Sequence, residues 1–137
     1  MFTLLYAGIL TLIGVFLAVW STQQRIATNP HTVLGTDDNF KLLQTSRAHS
    51  NLVEYALFFI ILSALLENIG QIPNLALVIL GDIFILARVA HAYGITRPGA
   101  ISIFRFTGTI LTLLVLVTQS IWALWISINW YVENYWG

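Results

Sequence analysis

Four apolar runs take up most of this chain, at residues 2–20, 52–66, 75–93 and 106–128, with short polar stretches between them. Crossing the roughly 30 Å hydrocarbon core of a bilayer takes about 20 mostly apolar residues as a helix. Only 9% of the 137 residues are charged, against about 25% in a soluble domain. So few charges leave no way to cover a water-facing surface, so lipid is the solvent. In lipid each backbone N–H and C=O must be satisfied internally, which a helix does by itself. The expected fold is therefore an all-α membrane protein, a four-transmembrane-helix bundle forming a single domain over residues 1–137.

The first run lacks the basic start and small-residue cleavage site of a secretory signal, and further spans follow it, so it reads as a retained helix. The second run is only 15 residues long. Starting its helix near residues 38–40 restores a spanning length and brings Arg47 and Glu54 to the interface and just below it. Glu67-Asn68-Ile69-Gly70 reads as its end, with Gly70 supplying a positive φ. Pro73 and Asn74 then turn the chain into the next helix. Asp82, Arg88 and His91 interrupt the third run. The helices are expected at about 2–22, 39–68, 74–94 and 105–129.

Loop charges give an expected orientation. Arg25 and Lys41 lie in the first connection and Arg97 in the third, while the second connection and the tail hold no Lys or Arg. Positively charged loops stay in the cytoplasm, so both termini are expected outside. Trp122, Trp125, Trp130, Tyr131, Tyr135 and Trp136 then form an aromatic belt at the outer face. The zero net charge gives no reason to expect nucleic acid, and the three histidines lack metal-ligand spacing. With no cysteine in the chain, any thiol chemistry has to arrive on a ligand.

The polar residues within the spans gather at the cytoplasmic end. Arg47, Asn51 and Glu54 lie at offsets of 4 and 7 residues, which keeps them within about 40–60° of each other around a helix. Arg88 and His91 share a face of the third helix. Arg105 and Thr107 open the fourth, and Arg25 ends the first. A charge near hydrocarbon costs roughly 2.5–3.5 kcal/mol even on the lenient insertion scale. One bland account is a structural ion pair, for example Arg88 with Glu54. A lone pair needs one arginine, however, and all five arginines sit at this end with Glu54. That balance suits an anion. Asp82 stands apart and is expected to find a partner across a helix interface, with a separate proton or substrate role as the other reading. His49 is turned about 140° from Glu54 and is expected to face another helix or a neighbouring subunit.

Arg47-Ala-His-x-Asn51-x-x-Glu54 on a second helix resembles the signature of the membrane-associated proteins in eicosanoid and glutathione metabolism, the MAPEG family. Arg88-Val-Ala-His91-Ala-Tyr93-Gly94 is similar to a second block of that family in its bacterial form, and Arg105 to a third. The resemblance covers essentially the whole chain. It implies a homotrimer with glutathione bound between subunits near the cytoplasmic side. It also implies glutathione transferase or peroxidase activity on a hydrophobic small molecule or lipid, in a cleft lined by the first and fourth helices.

By that resemblance Asn51 and Glu54 bind the glutathione backbone, with Glu54 on its ammonium. Arg25, Arg47, Arg88 and His91 hold or frame its carboxylates, and Arg105 is the catalytic residue beside the sulfur. Tyr93 either donates to the thiolate or anchors at the interface, and Thr107 is either a hydroxyl donor or an ordinary first-turn threonine. The chemistry is coherent. Guanidinium groups grip carboxylates bidentately and stay charged in a low dielectric. A nearby cation also lowers a thiol pKa from about 8.5. Three positions depart from the pattern. Leu57 stands where many members have a kinking proline, Ser50 where some carry another arginine, and Asp82 has no counterpart. Asp37 and Asp38 lie in the first loop, where some members place a catalytic aspartate.

Two other functions remain open from sequence. One is a non-enzymatic lipid-binding scaffold of the same fold, for which Arg47, Asn51, Glu54 and Arg105 have no use. The other is a small transporter subunit with Asp82 and Arg88 on a polar path, against which stands the clustering of polar groups at one end. The compact loops and the Arg88-x-x-His91-x-Tyr93-Gly94 spacing point to a bacterial inner membrane.

Overall fold

A computed structural model describes residues 1–28, 39–97 and 102–136. It contains four helices in chain order: α1 (Phe2–Thr28), α2 (Phe40–Asn68), α3 (Asn74–Thr96) and α4 (Ile103–Tyr135). All four are long and apolar enough to cross a membrane. The chain is an integral, multi-pass membrane protein built as a helical bundle.

Two helices run further than the apolar pattern suggested. α1 continues to Thr28 because Gln23, Gln24, Arg25 and Ala27 are good helix formers and neither Pro nor Gly interrupts them. α4 continues to Tyr135, with no Pro or Gly in its last turns to end it sooner. Its 33 residues rise about 50 Å, well beyond the hydrocarbon core, so its last turns leave it. Trp130, Tyr131 and Tyr135 pack on one another along those turns. α2 starts where Asn39 caps it, its side chain accepting from Leu42 N at 3.0 Å. α2 is unbroken through Leu57, as expected without a proline there.

The turn after α2 works differently from the expectation. Gln71, not Gly70, takes the positive φ, at 48°. Gly70 sits where space is short: a Cβ there would stand 2.9 Å from Ile126 Cδ1 and 3.1 Å from Leu66 O. Close approach of α4, and not backbone handedness, explains that glycine.

α2 touches the other three helices, and so does α3. α1 and α4 do not pack on each other. The expected lipophilic cleft between them is therefore not formed within one chain, because α2 and α3 lie in between. The core is centred on Phe59 and Phe84, stacked at 4.0 Å, with Tyr6 edge-on to Phe59. Gly81 makes room for the Tyr6 ring, which lies where a Cβ would project. Tyr6 then reaches Val78 O at 3.0 Å and Asp82 Oδ1 at 2.8 Å. This is the cross-helix partner anticipated for Asp82. Farther along, Gln119 Nε2 donates to Ser63 Oγ at 2.8 Å, joining α4 to α2 inside the bundle. The Glu67 carboxylate accepts from Phe2 N and Thr3 N, closing the exposed amides of the first turn of α1.

Candidate functional site

At the end of the bundle where α2 begins, α3 ends and α4 begins, a cavity of about 450 Å³ opens between these three helices. α2 contributes Arg47, Ser50, Asn51 and Glu54, one turn apart along one face. α3 contributes His91, Gly94 and Ile95, and α4 contributes Arg105. Five residues singled out from sequence thus line one space: Arg47, Asn51, Glu54, His91 and Arg105.

Two glycines set how closely the walls meet. A Cβ on Gly94 would run into the backbone N and Cα of Arg105. A Cβ on Gly108 would stand 2.6 Å from Ala87 O and 2.7 Å from His91 N. Small residues let membrane helices approach closely, and here that approach places Arg105 against the end of α3. In the sequence Gly94 entered only as part of a family block, and Gly108 was not singled out. A glycine one turn beyond His91 and another one turn beyond Arg105 were the available signal.

Arg88 lies beneath the cavity and does not line it. It is 2% exposed, among the most buried side chains of the protein. Its Nη1 donates to Asn51 Oδ1 at 2.9 Å and its Nη2 to Gly108 O at 3.3 Å. The Tyr55 and Phe84 rings lie 5.1 and 5.9 Å from its Cζ, within reach of cation–π attraction. The suggested Arg88–Glu54 pair is not formed. Glu54 is turned about 60° from Asn51 around α2 and is exposed, whereas Arg88 faces inward against Asn51.

This contact fixes the orientation of the Asn51 amide. A guanidinium can only donate, so the oxygen of Asn51 faces Arg88. The Nδ2 donor is left without a hydrogen-bond partner among the described residues. His91 is oriented in a similar way. Its Nδ1 lies 3.0 Å from Thr109 Oγ1 and 3.3 Å from Arg105 O, and the Thr109 hydroxyl itself donates to Arg105 O at 2.9 Å. Nδ1 therefore carries the proton, and Nε2 is the acceptor. Arg88 Nε and His91 Nε2 are buried with no hydrogen-bond partner among the described residues. Thr109 was not anticipated from sequence.

Among the described residues Arg47, Glu54 and Arg105 form no ion pair with each other or with any other group. Two guanidinium groups, one carboxylate and one amide donor thus face a common space without neutralising one another. The arrangement suits a ligand carrying more negative than positive charge.

Several expected site residues lie elsewhere. Arg25, in the last turn of α1, does not line this cavity. Tyr93 projects into a different groove, between α1 and α3, with its ring edge-on to Phe104 at 5.3 Å. Within one chain it does not face the same space as Arg105. Thr107 bonds back to Ile103 O at 2.9 Å, the ordinary behaviour of a threonine in a first helical turn. His49 faces α1, in a groove lined by Thr11, Gly14 and Val15. Asp37 and Asp38 lie outside the described residues.

No curated protein matches the chain. The family model for the MAPEG family matches residues 3–125, from the first turn of α1 to well into α4, and the chain belongs to that family.

Proposed function

We propose that this protein is a membrane-bound glutathione-dependent transferase or peroxidase acting on lipophilic electrophiles. The family includes glutathione transferases and peroxidases as well as non-enzymatic members. The observation that carries the reading is the unpaired charge set of Arg47, Arg105 and Glu54 around the Asn51 amide. Glutathione bears two carboxylates, an ionisable thiol and one ammonium, more negative than positive charge, which suits a set of two guanidinium groups, one carboxylate and one amide donor. Glu54 takes the ammonium, Arg47 a carboxylate, and the free Asn51 Nδ2 a carboxylate or peptide oxygen.

Arg105 then stands by the sulfur. Its guanidinium favours the thiolate over the thiol. In the transferase reaction the sulfur bonds to an electrophilic carbon, and the leaving group departs with the bonding electron pair. In the peroxidase reaction the thiolate attacks the outer oxygen of a hydroperoxide, giving a sulfenic acid and an alcohol. A second glutathione then forms the disulfide and water. Arg25 serves the site of a neighbouring copy in a homotrimer, since α1 and α4 are separated within one chain. The lipophilic substrate lies between α1 of one copy and α4 of the next. The site faces the cytoplasm of a bacterial inner membrane, with the termini outside.

Titration calorimetry of the detergent-solubilised protein with reduced glutathione tests the binding step. Saturable binding weakened at least tenfold by Glu54→Gln is expected. Absence of any glutathione binding favours the lipid-binding scaffold and overturns the proposal.

A further inference from the structure

On the outer side of the bundle, away from the charged cavity, α1 and α3 enclose a second groove of about 490 Å³. Ile13, Phe16 and Trp20 of α1 form one wall, and Ala92, Tyr93 and Thr96 of α3 the other. Its walls are almost wholly apolar. The Thr96 hydroxyl is turned back to Ala92 O at 2.9 Å and gives the groove no polar character. The α1 residues from Leu12 to Trp20 span about 12 Å along the helix.

The end of this groove is charged. Arg97, at the end of α3, lays its guanidinium over the Tyr93 ring at 4.5 Å. The backbone oxygen of Arg97 accepts from Gln44 Nε2 at 3.0 Å, which ties this end of α3 to α2. Among the described residues no carboxylate pairs with Arg97. A guanidinium with one face on an aromatic ring keeps its N–H edge available to an anion. Tyr93 carries this charge on its ring and Trp20 stands in the α1 wall of the same groove, the aromatic composition found at headgroup level in membranes.

We propose that the α1–α3 groove binds one anionic phospholipid of the surrounding bilayer. An acyl chain lies along Ile13, Phe16 and Ala92, and the headgroup phosphate is held by Arg97. Charge complementarity selects this occupant: basic pockets between membrane helices recognise anionic headgroups, and a zwitterionic lipid gains far less. The site is separate from the glutathione cavity, so it stands or falls independently of the proposed activity.

The test is lipid retention. The purified protein is reconstituted in nanodiscs of phosphatidylcholine and phosphatidylglycerol, re-extracted in mild detergent, and its bound lipid quantified by mass spectrometry. Wild-type protein retains phosphatidylglycerol in preference to phosphatidylcholine, by about fivefold, the size of one cation's attraction to an anionic headgroup. Arg97→Gln abolishes the preference, while Arg97→Lys keeps most of it. Ala92→Trp, which fills the groove from its apolar side, lowers retention of both lipids. Equal retention of the two lipids by wild-type protein overturns the proposal. So does an undiminished preference in Arg97→Gln. A change of oligomeric mass in Ala92→Trp with wild-type lipid content assigns the groove to a second copy of the chain and overturns it as well.

Discussion

Arg88 Nη1 donates to Asn51 Oδ1 at 2.9 Å, and this one contact links the buried base of the bundle to the charged cavity above it. Arg88 has no acidic partner among the described residues, so its charge is carried by an amide oxygen, a backbone carbonyl and two aromatic faces. In a low dielectric such a group depends on every neighbour it has.

Asn51→Asp separates folding from binding. The new carboxylate accepts from Arg88 at least as well as the amide does, so thermal unfolding in detergent is unchanged or shifted upward. The Nδ2 donor is lost, and a negative charge meets the ligand's carboxylate in its place. Glutathione affinity falls by about tenfold or more, as expected for losing a hydrogen bond to a charged group. Asn51→Ala lowers both, because it also strips the buried guanidinium of its acceptor. If Asn51→Asp instead binds glutathione at wild-type strength, the amide does not face the ligand.

Two glycines that both make room for a neighbouring element have different consequences. Gly94→Ala drives a methyl group into the Arg105 backbone and pushes the start of α4 away from α3. Gly81→Ala drives one into the Tyr6 ring, far from the cavity. Overpacking of this kind costs typically 1–3 kcal/mol, so both variants unfold at lower temperature. Only Gly94→Ala is expected to lose glutathione-dependent turnover beyond its loss of folded protein, since it alone displaces a residue of the site. Matched unfolding and turnover measurements on the two variants check this.

The Asp82 carboxylate sits eight residues into α3, about 12 Å along the helix from its start, and is held by the Tyr6 hydroxyl. Tyr6→Phe removes that donor and also the bond to Val78 O. The expected loss is about 0.6–2 kcal/mol, the range of interhelical hydrogen bonds in membranes, read as a lower unfolding temperature. Asp82→Asn keeps an acceptor for Tyr6 and relieves the charge, so its effect is smaller or of opposite sign. Glutathione binding is unaffected in both.

The spans and the clustered charges were legible in the sequence because each follows from simple periodicity. Apolar runs of spanning length give helices, and offsets of 3, 4 and 7 put Arg47, Asn51, Glu54, Arg88 and His91 on two faces. How deep each side chain sits was not legible. Arg88 is buried under Asn51 because α3 meets α2 and α4 closely there, whereas Tyr93, two residues from His91 and so about 160° round α3, was already turned away from the cavity by periodicity alone. The close approach rests on Gly94 and Gly108, whose role depends on what faces them across the interface. Glu67, a residue read only as part of a helix end, proves to hold the start of α1 through a partner 65 positions away. Sequence periodicity carries no information about such a contact.

Arg105 is the residue on which the proposed chemistry turns, and its role is separable from binding. Its guanidinium lines the cavity without an ion-pair partner, whereas Glu54 and Asn51 supply contacts to the parts of glutathione remote from the sulfur. Arg105→Ala is therefore expected to keep glutathione binding within a few-fold while turnover falls by about 10²–10³, the usual cost of removing one preorganised charge-stabilising donor. The pH profile gives the mechanism its own signature. A cation beside the sulfur lowers the thiol pKa, so wild-type turnover levels off well below the free thiol value of about 8.5. In Arg105→Ala the thiol reverts towards that value, and turnover keeps rising as pH increases through it. Arg105→Lys retains the charge and loses the planar fork, so it falls between the two in rate and keeps a lowered profile. Ultraviolet absorbance of the bound thiolate, followed on mixing with glutathione, reports the same change directly. Unchanged turnover in Arg105→Ala, or a pH profile that does not move, removes Arg105 from the thiolate role.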